Sequence, residues 1–410
     1  MKKNPIDVLI KLSIILIAFF IFLTSFSYTV LKNSNNNNKT IENISNQANY
    51  TNDTSNYDIE KNDIIEEDVN IKKISLVAIG DIMCHNSQFK DAYKDGKYDF
   101  SYVFTDIKQY IENGDIAIGN LETTFAGSAK GYSGYPQFNT PEELAYNLKD
   151  LGIDVLTTTN NHCLDTGYNG LESTLNFLDE ANISHTGTSR SPEEQNTILF
   201  KDVNGIKIAI LAYTYGTNGI PIPKGKEYCV NLINKDFILS QLNLAKQENP
   251  DIICVSMHWG IEYQRQANDE QKDLTDFLFN NGVDIILGSH PHVLQPFEKR
   301  EITLEDGTKK DCFVIYSLGN FMAAQNKDNT RNSIILNLDI TKHEDTKQIS
   351  IDNISYIPIY MYSYPTYSNY KVLDINKTLS QYNNGEAPLP NNPSLILKNE
   401  LQSITNLLGK

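Results

Sequence analysis

The chain has 410 residues, 40% of them hydrophobic, enough for one large domain or two smaller ones. Its net charge of −16 excludes a broad nucleic-acid surface, which needs clustered Lys and Arg, and disfavours non-specific docking on anionic lipid. Five cysteines (Cys84, Cys163, Cys229, Cys254, Cys312) lack CxxC spacing and cannot all pair within one chain, which excludes a disulfide framework.

The amino terminus reads as a membrane segment. No charged residue occurs from Leu12 to Leu31, and Lys11 and Lys32 bracket the stretch. At helical rise it covers about 30 Å, the thickness of a hydrocarbon core. Lys2, Lys3 and Lys11 precede it, so the positive-inside rule predicts a single-pass protein of the cell membrane with a cytoplasmic amino terminus and an extracytoplasmic bulk. A cleaved signal peptide is the alternative, with Ser25-Phe26-Ser27 the nearest small-x-small triplet. Residues 1–32 are thus expected to be a cytoplasmic stub and transmembrane anchor. Residues 33–70, opening on Asn33-Ser34-Asn35-Asn36-Asn37-Asn38 and closing on an acidic run, are expected to be a disordered tether.

From Ile71 the chain alternates strand-like and helix-like stretches. Short apolar runs at Ile74–Ile79, Ile116–Ile118, Asp154–Leu156, Ile206–Leu211, Ile252–Val255, Ile285–Leu287 and Phe313–Tyr316 predict buried strands. Cys254, inside one of them, reads as a small buried hydrophobe. Helices are predicted at Gly170–Asn182, where Leu171, Leu175 and Leu178 share a face, and at Asp269–Asn280. Pro141-Glu142-Glu143 is predicted to open another, with Pro in the first position. The alternation predicts a layered α/β domain over residues 71–373. Beyond Ile334 the pattern turns strand-rich and aromatic, and residues 374–410 form a tail with an amphipathic stretch around Leu395–Leu408.

Five polar clusters end these apolar runs: Gly80-Asp81-Ile82-Met83, Asn120-Leu121-Glu122, Asn160-Asn161-His162, His258-Trp259-Gly260 and Gly288-Ser289-His290-Pro291-His292. They hold four of the seven histidines and two carboxylates. Strand ends in open α/β sheets are where ligands bind. Carboxylate, amide and imidazole groups converging there make a metal site or an acid–base centre. Taken singly, Asp81 and Glu122 would be solvated turn carboxylates, and His258 a buried, hydrogen-bonded histidine. Asp165, three residues past His162, would fix that imidazole's tautomer, or else cap a helix with Asn160 and Asn161. His290 and His292 are stronger: in extended backbone their side chains share a face and can meet one metal or two adjacent ones.

These motifs resemble those of the CapA (poly-γ-glutamate capsule synthesis) family, within the metallophosphoesterase-like superfamily. The resemblance also takes in Asn160–Gly167, His258–Tyr263, Gly288–Val293 and Tyr316–Phe321, in family order, from about Ile74 to Phe321. It implies a four-layer α/β/β/α sandwich of the calcineurin-like type. By the same likeness Asp81, Glu122, Asn161, His258, His290 and His292 are implied metal ligands. His162, with Asp165 beside it, is implied as a catalytic acid. The implied cofactor is a divalent metal (Mn, Zn or Fe), one ion or two, which would support in-line displacement. Superfamily phosphoesterases usually carry a histidine where this chain has Met83. A thioether does not suit a hard ion, so one well-held metal is expected, or two of unequal affinity.

Two functions follow from the likeness. The first is a membrane-anchored role in capsule or poly-γ-glutamate biosynthesis or export, with capsule-synthase membrane subunits as partners and polyglutamate or another envelope polymer as substrate. The alternative is a metal-dependent hydrolase, phosphoesterase or amide hydrolase, acting on the cell envelope.

Overall fold

The computed structural model describes residues 70–303, 307 and 309–409, all within the compact unit Asp68–Lys410. The predicted membrane segment and the tether up to residue 69 lie outside the described residues. Among the described residues no helix is long and apolar enough to cross a membrane.

Four parallel strands open the domain: β1 (Ile71–Ile82), β2 (Ile116–Leu121), β3 (Val155–Thr157) and β4 (Ser184–Thr186). A second sheet follows, from β5 (Leu199–Val203), β6 (Ile206–Thr214), β7 (Ile252–His258), β8 (Ile285–Ser289), β9 (Phe297–Thr303) and β10 (Lys309–Ile315). The chain then returns to the first sheet with β11 (Asn320–Met322), β12 (Asn332–His343), β13 (Ile349–Tyr362) and β14 (Lys371–Asp374). The first sheet runs β14-β13-β12-β1-β2-β3-β4 with β11 pairing β1, and the second runs β9-β10-β8-β7-β6-β5. Both are mixed, parallel at their centres and antiparallel at the returning strands.

The period of two along each strand assigns every side chain to a layer. On β1, Ile74, Leu76 and Ala78 join the same buried cluster as Ile206, Ile208 and Ile210 of β6, while Val77 and Ile79 face helices. Ile252 and Cys254 of β7 also lie between the sheets, and their neighbours Ile253 and Val255 face outward. The outward face of the first sheet is covered by α1 (Asn86–Ala92), α2 (Lys108–Glu112), α3 (Glu143–Leu151) and one side of α4 (Gly167–Glu180). The second is covered by α5 (Lys235–Gln247) and α6 (Asp269–Asn280), through Ile238, Leu242, Leu274 and Leu278. Helix, sheet, sheet, helix is therefore the layering.

Helix starts follow local chemistry. Asn268 caps α6, its side chain accepting from the Gln271 amide while Gln271 returns a bond to the Asn268 amide. Pro141 lies one residue before the cap of α3, Glu142, rather than at the first helical position. Its carbonyl still accepts from Leu144. Two helices end the chain, α7 (Ile375–Asn383) and α8 (Ser394–Leu408). Ile375, Leu379, Leu397 and Ile404 carry them onto the buried cluster that fills the space between the sheets.

Candidate metal centre

The residues that end the central strands converge between the two sheets because they continue the inward phase. On β2, Ile116 and Ile118 face the other sheet, and Asn120 and Glu122 fall in the same phase. On β7 the phase of Ile252 and Cys254 brings Ser256 and His258 inward, and on β8 that of Ile285 and Leu287 brings Ser289. β1 needs a correction of phase, supplied by a register irregularity between Ala78 and Asp81. Gly80 makes it possible: a Cβ there would lie 1.9 Å from the Gly319 carbonyl oxygen. The close approach lets the Asp81 amide donate to that oxygen at 2.8 Å.

The two carboxylates are fully buried, Asp81 and Glu122 each 0% exposed. Asp81 Oδ1 accepts from Asn120 Nδ2 at 2.9 Å, and Oδ2 lies 3.1 Å from His292 Nδ1. Glu122 Oε1 stands 3.6 Å from His258 Nε2 and 3.8 Å from His292 Nε2, and has no hydrogen-bond partner. His290 Nδ1 is also buried and unpartnered. Ligand atoms of Asp81, Glu122 and His258 lie within 4.8 Å of one another, as do those of Glu122, His290 and His292. His258 spans the sheets, its Nδ1 2.9 Å from Ser289 Oγ and its Nε2 2.8 Å from Asn161 Oδ1.

The electrostatics point the same way. Burial, then the neighbouring Asp81 charge, raises the Glu122 carboxyl well above its usual range. Burial, then the other imidazoles, pushes His258 well below 6.5, and burial with His292 takes His290 to about 3. With no cation, the cluster therefore favours a protonated Glu122 and neutral His258 and His290 imidazoles. An orphaned buried carboxylate oxygen costs about 1–3 kcal/mol or more, so its retention needs a reason. A divalent ion would satisfy the unpartnered Glu122 Oε1 and His290 Nδ1 together, and the mixed O and N donor set suits Mn, Fe or Zn. The residues fit such an ion.

His162 and Asp165 stand beside these groupings rather than in them. His162 Nδ1 is 2.7 Å from Asp165 Oδ2, which also accepts from the Phe138 amide at 2.7 Å. Asn160 Oδ1 accepts from the His162 amide at 3.1 Å, so the local turn and the imidazole–carboxylate pair coexist. The Phe138 ring meets His162 edge-on at 4.8 Å. Asp165 orients the imidazole by one nitrogen. The other, Nε2, faces the exposed side chain of Asn218 at 3.5 Å.

One expectation needs correction. The His290-Pro291-His292 segment is not extended: φ is 96° at His290 and 59° at His292, both left-handed. The rings still lie 5.9 Å apart, because a tight bend after β8, not a strand, turns both inward. Such φ values cost about 1–3 kcal/mol each in non-glycine residues and persist only where the surroundings over-determine them. The Nδ1 of His85 accepts from the Ala324 amide, and Met83 packs with Phe138 and Ala323 in a small apolar cluster.

Several residues at the centre carried no assigned role in the sequence. Asn120, Ser289 and Asn320 orient Asp81, His258 and His292 from behind. Polar residues at inward strand-end positions were the available signal. Tyr215 lies with its ring 4.6 Å from His290, and nothing in its local pattern distinguishes it from other exposed tyrosines.

The family model described as "Bacterial capsule synthesis protein PGA_cap" matches residues 75–325, well over half of the chain. The "Capsule biosynthesis protein CapA" of Bacillus anthracis is 29% identical over 272 residues, 65% of this chain and 63% of that protein, so the match spans less than two thirds of that relative. The "PGA biosynthesis protein CapA" of Bacillus subtilis (strain 168) is 30% identical over 273 residues, covering 66% and 68% of the two chains. Among solved structures, a phosphatase from Mycoplasma pneumoniae overlays with a TM-score of 0.44 at 14% identity, covering 72% of this chain and 96% of that one. The NAD nucleotidase of Haemophilus influenzae overlays at 0.43 and 15%, covering 82% and 61%. Overlays this loose carry no functional argument.

Proposed function

The chain belongs to the bacterial capsule synthesis protein family PGA_cap, and on that premise we propose that it takes part in capsule or poly-γ-glutamate biosynthesis or export through a divalent-metal centre. The observation that carries the metal centre is the pair of buried, unpartnered atoms, Glu122 Oε1 and His290 Nδ1, amid imidazoles and a second carboxylate. Asp81, Glu122, Asn161, His258, His290 and His292 are the proposed ligands. A bound divalent ion there supplies Lewis acidity. Both named Bacillus relatives are described by capsule or PGA biosynthesis, which supports polyglutamate or a related envelope polymer as substrate and capsule-synthase membrane subunits as partners. The apolar segment Leu12–Leu31 supports a membrane-anchored, extracytoplasmic protein.

A second reading, metal-dependent hydrolysis of an envelope phosphoester or amide in a fold of the metallophosphoesterase type, is favoured by the His162–Asp165 pair. Asp165 holds Nδ1–H, which leaves Nε2 to move a proton at a substrate oxygen or nitrogen. Purified full-length protein, assayed for metal content and on phosphomonoester, phosphodiester and γ-glutamyl substrates with His162→Ala alongside, tests both. Protein without Mn, Zn or Fe that also fails to take up those ions sinks the metal centre. Metal without turnover on any class removes the hydrolase and leaves an assembly role. Amino-terminal sequencing tests the anchor, since a mature start near Ser27 would show cleavage.

A further inference from the structure

The family match stops at residue 325, yet the C-terminal helix α8 is wired to the candidate metal centre. Ser403 Oγ on α8 donates to Asn329 Oδ1 at 2.9 Å. Arg265 Nη1 donates to the same Asn329 oxygen at 3.1 Å and to Ser403 Oγ at 2.7 Å, and Nη2 donates to the Ser403 carbonyl at 3.2 Å. One turn earlier on α8, Glu400 accepts from Asn332 Nδ2. The helix therefore grips the segment Asn329–Asn332 at both ends.

Between those ends lies Thr330, whose carbonyl accepts from Asn320 Nδ2 at 2.9 Å. With its amide group held there, Asn320 presents Oδ1 at 3.2 Å from His292 Nδ1. That contact, together with Asp81 Oδ2 at 3.1 Å from the same nitrogen, holds the proton on Nδ1 and leaves Nε2 turned toward Glu122. A second route runs through the loop that carries Arg265. The Tyr263 amide donates to the Pro291 carbonyl at 2.8 Å, and Gln295 Nε2 donates to the carbonyls of Gln264 at 2.8 Å and Gln266 at 3.2 Å. Both routes end on the bend His290-Pro291-His292, whose left-handed backbone needs restraint from its surroundings.

We propose that Ser403 and Arg265 are positioning residues for the metal ligand His292, so that α8, outside the matched family region, is a working part of the centre. The proposal rests on the reading that His292 holds a divalent ion. Neither residue touches that ion: each acts through Asn329 and Asn320, or through the Tyr263–Pro291 bond. The hydrogen bonds, with the Asn329–Thr330 backbone between them, run without a gap from Ser403 and Arg265 to His292.

The test strips the full-length protein with chelator and titrates Co(II), reading dissociation constants and the visible d–d band, with the melting temperature as a control. Ser403→Ala is expected to bind about tenfold more weakly with an altered band, the scale of losing an outer hydrogen-bond partner. Ser403→Thr, which keeps the hydroxyl, binds as the parent does. Arg265→Lys keeps the charge and stem but not the forked contacts. It reproduces the Ser403→Ala band and carries the test should Ser403→Ala lose its fold. Parent-like affinity and band in both Ser403→Ala and Arg265→Lys overturn the proposal while leaving the metal centre standing. Weakened binding with an unchanged band also overturns it, as a mere loss of packing. A parent protein that takes up no Co(II) overturns the metal reading itself.

Discussion

Asn161 Oδ1 stands 2.8 Å from His258 Nε2, although the two residues are 97 positions apart, one in the turn after β3 of the first sheet and the other ending β7 of the second. The contact closes the space between the sheets at one end. An ion held by both residues would tie the sheets together, so occupancy and stability should be linked. Metal at one hundred times its dissociation constant would stabilise the folded state by about 2.7 kcal/mol. Chelation is expected to lower the melting temperature by several degrees, and Asn161→Ala or His258→Ala to abolish most of that response. Scanning calorimetry with and without chelator checks it.

Met83 separates packing from ligation. It is 1% exposed and packs against Phe138, whose ring also meets His162. Met83→Leu should cost less than about 1.5 kcal/mol and leave metal content unchanged. Met83→Ala should cost about 2–5 kcal/mol and disturb His162 through Phe138. Urea denaturation together with metal analysis of the two variants tells a packing residue from a ligand.

His85 gives a pH dependence with a definite sign. Burial pushes it down from 6.5 to about 4, and its Nδ1 accepts from the Ala324 amide, which requires the neutral ring. As pH falls below 6.5 the unfolded chain takes up a proton that the folded protein refuses. Stability therefore falls with pH until the folded ring protonates near 4. His290, pushed down to about 3, acts with the same sign in metal-free protein. His85→Asn is expected to remove one proton's worth of the slope between pH 6.5 and about 4. Denaturation midpoints across that window would show an unchanged slope if His85 is not the group.

Asp165 tests the catalytic reading. Asp165→Asn keeps an acceptor for the Phe138 amide but removes the charge beside His162. On any substrate the protein turns over, kcat should fall about 10- to 100-fold, and His162→Ala should fall about 10²- to 10⁴-fold. Metal content should stay at the parent level in both. Loss of metal in either variant would place the pair among the ligands instead.

Gly80 and Gly288 are expected to tolerate no side chain. A Cβ on Gly288 would lie 2.0 Å from the Tyr316 carbonyl oxygen, as tight as the contact Gly80 would make with Gly319. Gly80→Ala and Gly288→Ala should each destabilise by more than the roughly 1 kcal/mol of an average substitution, since backbone rather than a flexible side chain must move. Thermal melts of the pair would reveal either glycine as dispensable.

Strand by strand, the sequence determined where buried strands lie, because short continuous apolar runs bury both faces, while which face meets the other sheet and which meets helices was decided by packing. In the folded domain Glu122, His258 and Ser289 continue the phase that faces the other sheet. The candidate ligands were likewise legible, because polar groups at the ends of buried strands are costly unless something binds them. Tertiary structure alone decided the rest. The irregularity at Gly80 that turns Asp81 inward depends on a backbone segment around Gly319, more than two hundred residues away. The left-handed bend at His290 and His292 depends on the Tyr263 amide donating to Pro291 and on Asn320 Oδ1 accepting from His292, contacts that no local pattern encodes. Local sequence sets which face a side chain occupies. Only long-range packing decides where that face is met and by what, and that is why Asn320, Arg265 and Ser403 became visible last.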